Sequence, residues 1–230
     1  VVWPPLVTTL LYLFVFGLSL GRKITEVEGL PYLTFLLPGL VMMSLIEGAY
    51  GEASASLFLL RFTNAIQELL IAPLSAVEVV AGFIVGSLVR GLIIANLVML
   101  CGALILGIVP QSWLLYLLLL VLVCTFFASL GLIMGLWADK FDHIAILTTF
   151  FITPLVYFGG VFHSVRMLPA QLQAVSYANP LFYMIDGFRY AMTGHSLVDP
   201  WWDVALVAVL TAGAVTWALC LFARGYRLRT

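Results

Sequence analysis

The chain has 230 residues, 63% hydrophobic and only 9% charged, with a formal net charge of −1 and a mean hydropathy of +1.15. Soluble domains carry about 25% charged residues, so a water-soluble fold is excluded, because too much apolar surface would face solvent. A nucleic-acid binder, which needs a basic surface, is excluded as well, and an all-helical polytopic membrane protein is left.

A transmembrane helix needs about 20 mostly apolar residues, and six segments qualify. The first is expected over residues 6–20, behind Pro4 and Pro5, where a helix start tolerates proline. A short polar loop with Arg22, Lys23, Glu26 and Glu28 leads to the second, over 32–54, which Pro38-Gly39 should kink. The third, 77–106, is longer than a bilayer requires and is expected to tilt or protrude. A tight turn at Pro110 precedes the fourth, 113–136, framed by the interfacial aromatics Trp113, Tyr116 and Trp137. The charged loop Ala138–His143 precedes the fifth, 144–161, and the sixth covers 201–222. Cys101, Cys124 and Cys220 fall inside apolar runs and read as small core residues.

Between the second and third spans lies a different kind of sequence. From Arg61 to Val80 it reads RFTNAIQELLIAPLSAVEVV. Phe62, Ile66, Leu69 and Leu70 fall on one helical face, and Thr63, Asn64, Gln67 and Glu68 on the other. An amphipathic helix of about three turns is predicted over 62–72, ended by Pro73. Ser75 and Glu78 form a capping-box pattern for the next helix. Such a helix, tethered between spans, lies at a membrane surface or docks into a partner.

The segment between the fifth and sixth spans is too polar to cross a bilayer and too apolar for a free loop. Asn179-Pro180 is a helix start, with Asn as cap and Pro at the first helical position. Leu181, Ile185, Phe188 and Met192 form one face, and Gly194 closes the helix. A second short helix is predicted over 167–175, and the pair suggests a re-entrant hairpin over 163–195. Asp186 and Arg189, at i,i+3, are placed to pair and pin that hairpin at the outer rim. The cluster Arg224, Arg227 and Arg229 assigns the C-terminus, and with it the 62–72 helix, to the cytoplasm. Arg22, Lys23, Arg166 and Arg189 run against that assignment.

Ionisable groups in apolar spans are expensive and mark function by default. Glu52 and Glu78 sit near the cytoplasmic interface, where they can snorkel. Glu47 and Arg90 lie deeper, as a polar lining or as an ion pair within or between subunits. Gly82-x-x-x-Gly86 and Gly131-x-x-x-Gly135 match the close-packing motif of membrane helices. Neither Lys23 nor Lys140 stands in a G-x-x-x-x-G-K-[ST] phosphate loop, so this chain has no nucleotide site of that kind. The three histidines have no metal-ligand spacing, and no G-x-S-x-G elbow supports a hydrolase.

Six spans, an amphipathic helix after the second and a helical hairpin before the sixth resemble the type-2 permeases of ATP-binding cassette exporters. The stretches that carry the likeness are FLLPGLVMMS (35–44), ELLIAPLSAVEVV (68–80) and NPLFYMIDGFRYAMTG (179–194). Nearly the whole chain is similar to the bacterial subgroup with drug, Nod-factor and polysaccharide exporters. The resemblance implies a bacterial inner-membrane permease subunit with no catalytic residues of its own. Two copies would form the pathway, and two separate ATPase subunits would hold ATP and magnesium. The 62–72 helix would be the coupling helix in the ATPase groove, with Ile66, Leu69 and Leu70 buried there and Glu68 against a basic edge. The family also begins with an amphipathic surface helix, which is expected to precede Val1. Two rival readings follow from the residues. One is a proton-coupled secondary transporter using Glu47 or Arg90, although the two halves show no inverted repeat. The other is a membrane enzyme with Asp142 and His143 at the cytoplasmic face.

Overall fold

The computed structural model describes residues 3–19 and 26–226. Arg227 and Arg229, which support the orientation, and Arg22 and Lys23, which run against it, lie outside them. The chain opens with α1 (Trp3–Ser19), whose apolar stretch Leu6–Gly17 is shorter than the later spans. The loop expected next contains a small hairpin, β1 (Glu26–Val27) antiparallel to β2 (Leu30–Pro31). Glu28 and Gly29 turn it with positive φ of 54° and 76°, the geometry that two-residue hairpins demand.

Among the described residues, five helical stretches are long and apolar enough to cross a membrane. The first is α2 (Tyr32–Phe62). A short α3 (Ile66–Ile71) leads to α4 (Ala76–Leu106), and α5 (Trp113–Trp137) follows. The next is composite: α6 (Phe141–Leu147), a π turn (Thr148–Ile152) and α7 (Thr153–Phe158). After a 3-10 turn (Val165–Met167) come α8 (Ala170–Ala178) and α9 (Pro180–Thr193), and α10 (Pro200–Ala223) ends the bundle.

The caps follow from the sequence. Ser75 and Glu78 form a full capping box at α4. Ser112 caps α5, and Asp199 caps α10. Gly107 and Gly194 close α4 and α9 in the left-handed conformation, where glycine lacks the Cβ penalty.

Two boundaries differ from expectation. The second span does not stop near Ser54; α2 continues to Phe62, and at about 1.5 Å per residue its 31 residues exceed a hydrocarbon core of about 30 Å. The helix also runs on through Pro38, which lies in its second turn, so only one early carbonyl loses its partner. The fifth span begins at Phe141 and ends at Phe158, where Gly159 and Gly160 turn the chain away.

α2 is the hub. Leu36, Leu37, Leu40, Leu45 and Ile46 are fully buried, in one apolar core shared with residues of α1, α4, α5, α9 and α10. It approaches α5 backbone to backbone: a Cβ on Gly131 would stand 2.6 Å from the Tyr50 carbonyl oxygen. The other glycine pair corrects the expectation of packing within the subunit, since a Cβ on Gly82 or Gly86 would meet nothing within 4 Å. Both are exposed and line an open groove with Glu52, Ser56 and Leu69. Among the cysteines only Cys124 is buried.

Candidate functional site

The link between α2 and α4 departs from the predicted three-turn helix. α2 absorbs Phe62, and Asn64, at φ 60°, breaks the chain before α3 begins at Ile66. Asparagine tolerates that left-handed conformation better than most residues. The break turns the apolar face. Ile66 is only 4% exposed and packs inward with Ala53, Leu57 and Leu132. It anchors α3 to its own subunit, contrary to the expectation that it faces a partner. Leu69 is half-buried and lines a groove with Leu74 and Glu78. The side chain of Leu70 lies outside the described residues. The outward groups are Phe62, 73% exposed, and Ile71, 83% exposed, with Glu68, Pro73 and Leu74 beside them.

Arg61 fixes this link to the rest of the bundle. Its Nη1 donates to the carbonyls of Gly135 (2.8 Å), Leu136 (2.7 Å) and Ala138 (3.2 Å). These belong to the last turn of α5 and its cap, where carbonyls lack intrahelical donors and a cation complements the helix dipole. Sequence reading missed this role because Arg61 looks like an ordinary interfacial charge.

The intramembrane charges do not pair as expected. Arg90 of α4 pairs with Glu52 of α2, not with Glu47, and Glu52 also accepts from Ser56 Oγ at 3.2 Å. The reason is the face of α2: Glu52 lines a groove with Gly82, Gly86 and Ser87 of α4, whereas Glu47 lines a pocket with Thr8, Thr9 and Tyr12 of α1. Glu78 serves the capping box. Glu47 is exposed on the other side of α2, in a pocket of ≈ 210 Å³ with Thr8, Thr9, Tyr12, Met43 and Ser44.

The hairpin segment is asymmetric. α9 is buried along nearly its whole length, while α8 exposes most of its residues. α8 starts three residues later than predicted, because Pro169 caps it and a separate 3-10 turn precedes it. Asn179 does two jobs: its Oδ1 accepts from Leu181 N (3.0 Å) and its Nδ2 donates to the Leu155 carbonyl of α7 (2.6 Å). The start of α9, set by Pro180, is thereby latched to the fifth span.

Arg189 and Asp186 stand 3.7 Å apart with side chains 4% and 0% exposed. They are buried, and their partners lie at the end of the bundle opposite the α2–α4 link. Arg189 also donates to the Gly160 carbonyl (2.7 Å) and the Phe35 carbonyl (3.4 Å), and its guanidinium covers the Phe35 ring at 3.9 Å. Asp186 Oδ2 accepts from the backbone N–H of Leu197 (2.8 Å) and Val198 (3.1 Å). The pair thus ties α9 to α2, to the turn after α7 and to the entry of α10. Asp203 was missed: it reads as a helix-start acid, yet it is fully buried, and neither carboxylate oxygen has a partner among the described residues.

Comparison with known proteins adds independent findings. Residues 1–193 match the family described as ABC-2 type transporter. The chain is similar to the inner membrane transport permease YadH of Escherichia coli K12, 38% identical over 97% of this chain and 88% of YadH. It is also similar to nodulation protein J of Sinorhizobium fredii, 29% identical over 92% of this chain and 76% of that protein, and to nodulation protein J of Rhizobium leguminosarum bv. trifolii, 30% identical over 83% and 73%.

Proposed function

We propose, on the premise that this chain belongs to the ABC-2 type transporter family, that it is the permease subunit of an ATP-driven exporter in a bacterial inner membrane. Two copies enclose the route of a lipid, drug or glycan-type substrate. Two separate ATPase subunits hold ATP and magnesium and dock on the α2–α4 link, and the C-terminus lies on the same, cytoplasmic side.

The observation that supports this reading best is the link itself. Phe62 and Ile71 are exposed apolar groups on a short segment held to a span at each end. At the water-facing end of a bundle, such groups mark a protein contact. Burying Ile71 in a partner groove contributes about 2 kcal/mol, and Glu68 beside it favours a basic edge there.

The test is Ile71→Asp. Ile71 is 83% exposed, so the isolated permease should keep its thermal midpoint. ATPase stimulation by the permease should fall at least about tenfold, since an aspartate would be buried unpaired in the groove. Full stimulation by this variant would defeat the docking assignment. Leu69→Asp is the poorer probe, because Leu69 already packs within its own chain.

A further inference from the structure

We propose that Glu47, with Tyr12 in the same pocket and the rings of Phe162 and Tyr157 continuing from Tyr12, forms a mid-membrane binding site for a lipophilic cation. Glu47 is at position 16 of the 31-residue α2, so it lies midway along that span. It does not fold back into the core but faces outward from α2. A carboxyl in that position is held either by a proton or by a counter-charge, and among the described residues no basic group is within ion-pair distance of it. Three arginines near the core are engaged elsewhere: Arg90 with Glu52, Arg189 with Asp186, and Arg61 with α5 carbonyls. A cationic ligand would supply the counter-charge that the described residues do not.

The surroundings define its kind. Tyr12 lines the same pocket as Glu47, and Tyr157 of α7 lies within electrostatic reach of both Tyr12 and Glu47. Phe162 joins them: its ring is 5.9 Å from Tyr12, edge-on, and 5.2 Å from Tyr157, stacked. Rings attract cations over their faces, most strongly where water is excluded. The polar floor, a Thr9–Ser44 hydroxyl contact of 2.6 Å, satisfies itself and calls for no charge. One carboxylate and several rings in an apolar setting select a bulky, weakly hydrated cation over an anion or a neutral sugar.

This deepens the exporter reading, since it names the substrate class of a route along α1, α2 and α7, but its test does not need the ATPase. The probe is tetraphenylphosphonium, with tetraphenylborate as the anion of the same shape, added to full-length permease in phosphatidylcholine nanodiscs. Saturable tetraphenylphosphonium binding is expected, weakened at least about tenfold by Glu47→Gln and several-fold by Tyr157→Leu. Glu47→Asp, which keeps the charge, should retain most of the binding. It also serves as the folded control if Glu47→Gln fails to assemble, in which case Tyr157→Leu carries the comparison. Absence of saturable binding, equal binding by Glu47→Gln, or equal binding of tetraphenylborate overturns the proposal. Ile71→Asp should leave tetraphenylphosphonium binding unchanged. Binding without any ATPase coupling would sink the exporter reading and spare the cation site, whereas coupling without binding would do the reverse.

Discussion

Arg189→Met is expected to lower the thermal midpoint of the purified permease by on the order of 10 °C, and to reduce the amount of protein that assembles. Removing one partner of a buried ion pair costs about 3–5 kcal/mol, because the other charge is left uncompensated. Each kcal/mol moves the midpoint of a chain this size by about 2–4 °C. Here the loss is compounded. The Gly160 and Phe35 carbonyls also lose a donor, and Phe35 loses the cation stacked on its ring. Adding Asp186→Asn should recover part of the stability. An asparagine carbonyl still accepts from Leu197 and Val198 but leaves no buried charge. Thermal unfolding followed by size-exclusion chromatography reads both variants. An unaltered midpoint in Arg189→Met would show that the pair does not hold the hairpin in place.

A comparable loss is expected from a single methyl group at Gly131. Within a helix, glycine to alanine is ordinarily a gain of about 1 kcal/mol. At Gly131 the new carbon would lie 2.6 Å from a backbone oxygen and 2.9 Å from Ala53 Cβ. Neither of those can swing aside, so α5 must move off α2. Cores that are overpacked in this way lose typically 1–3 kcal/mol, and a backbone clash puts Gly131→Ala at the upper end. Gly82→Ala is the matched control: it has the same chemistry in a membrane helix, with open space around it, and should be neutral or slightly stabilising in the isolated subunit. Equal behaviour of the two variants would remove close approach as the reason for the Gly131–Gly135 pair.

The sequence carried the parts of the fold that depend on local chemistry. Apolar run lengths located α4, α5 and α10 to within a residue at each end. Ser75 with Glu78, and Asn179 with Pro180, announced their caps because capping is written in neighbouring residues. The outward face of the α2–α4 link was not legible. A 3.6-residue period says which residues share a face only if the helix is continuous, and the left-handed Asn64 breaks that phase. The partner of Arg90 was hidden for a related reason: Glu47 and Glu52 are equally plausible in sequence, and only the packing decides which face of α2 meets α4. Likewise, the two glycine motifs are indistinguishable as strings. One meets a neighbouring backbone and the other meets nothing, because a small residue permits contact without specifying it.

The three carbonyls held by Arg61 have a mechanical consequence. A single planar, permanently charged group bolts the foot of α2 to the foot of α5, while the backbone itself joins α2 to α4 through α3. Any torque applied at Ile71 is therefore delivered to three spans as one stiff tripod.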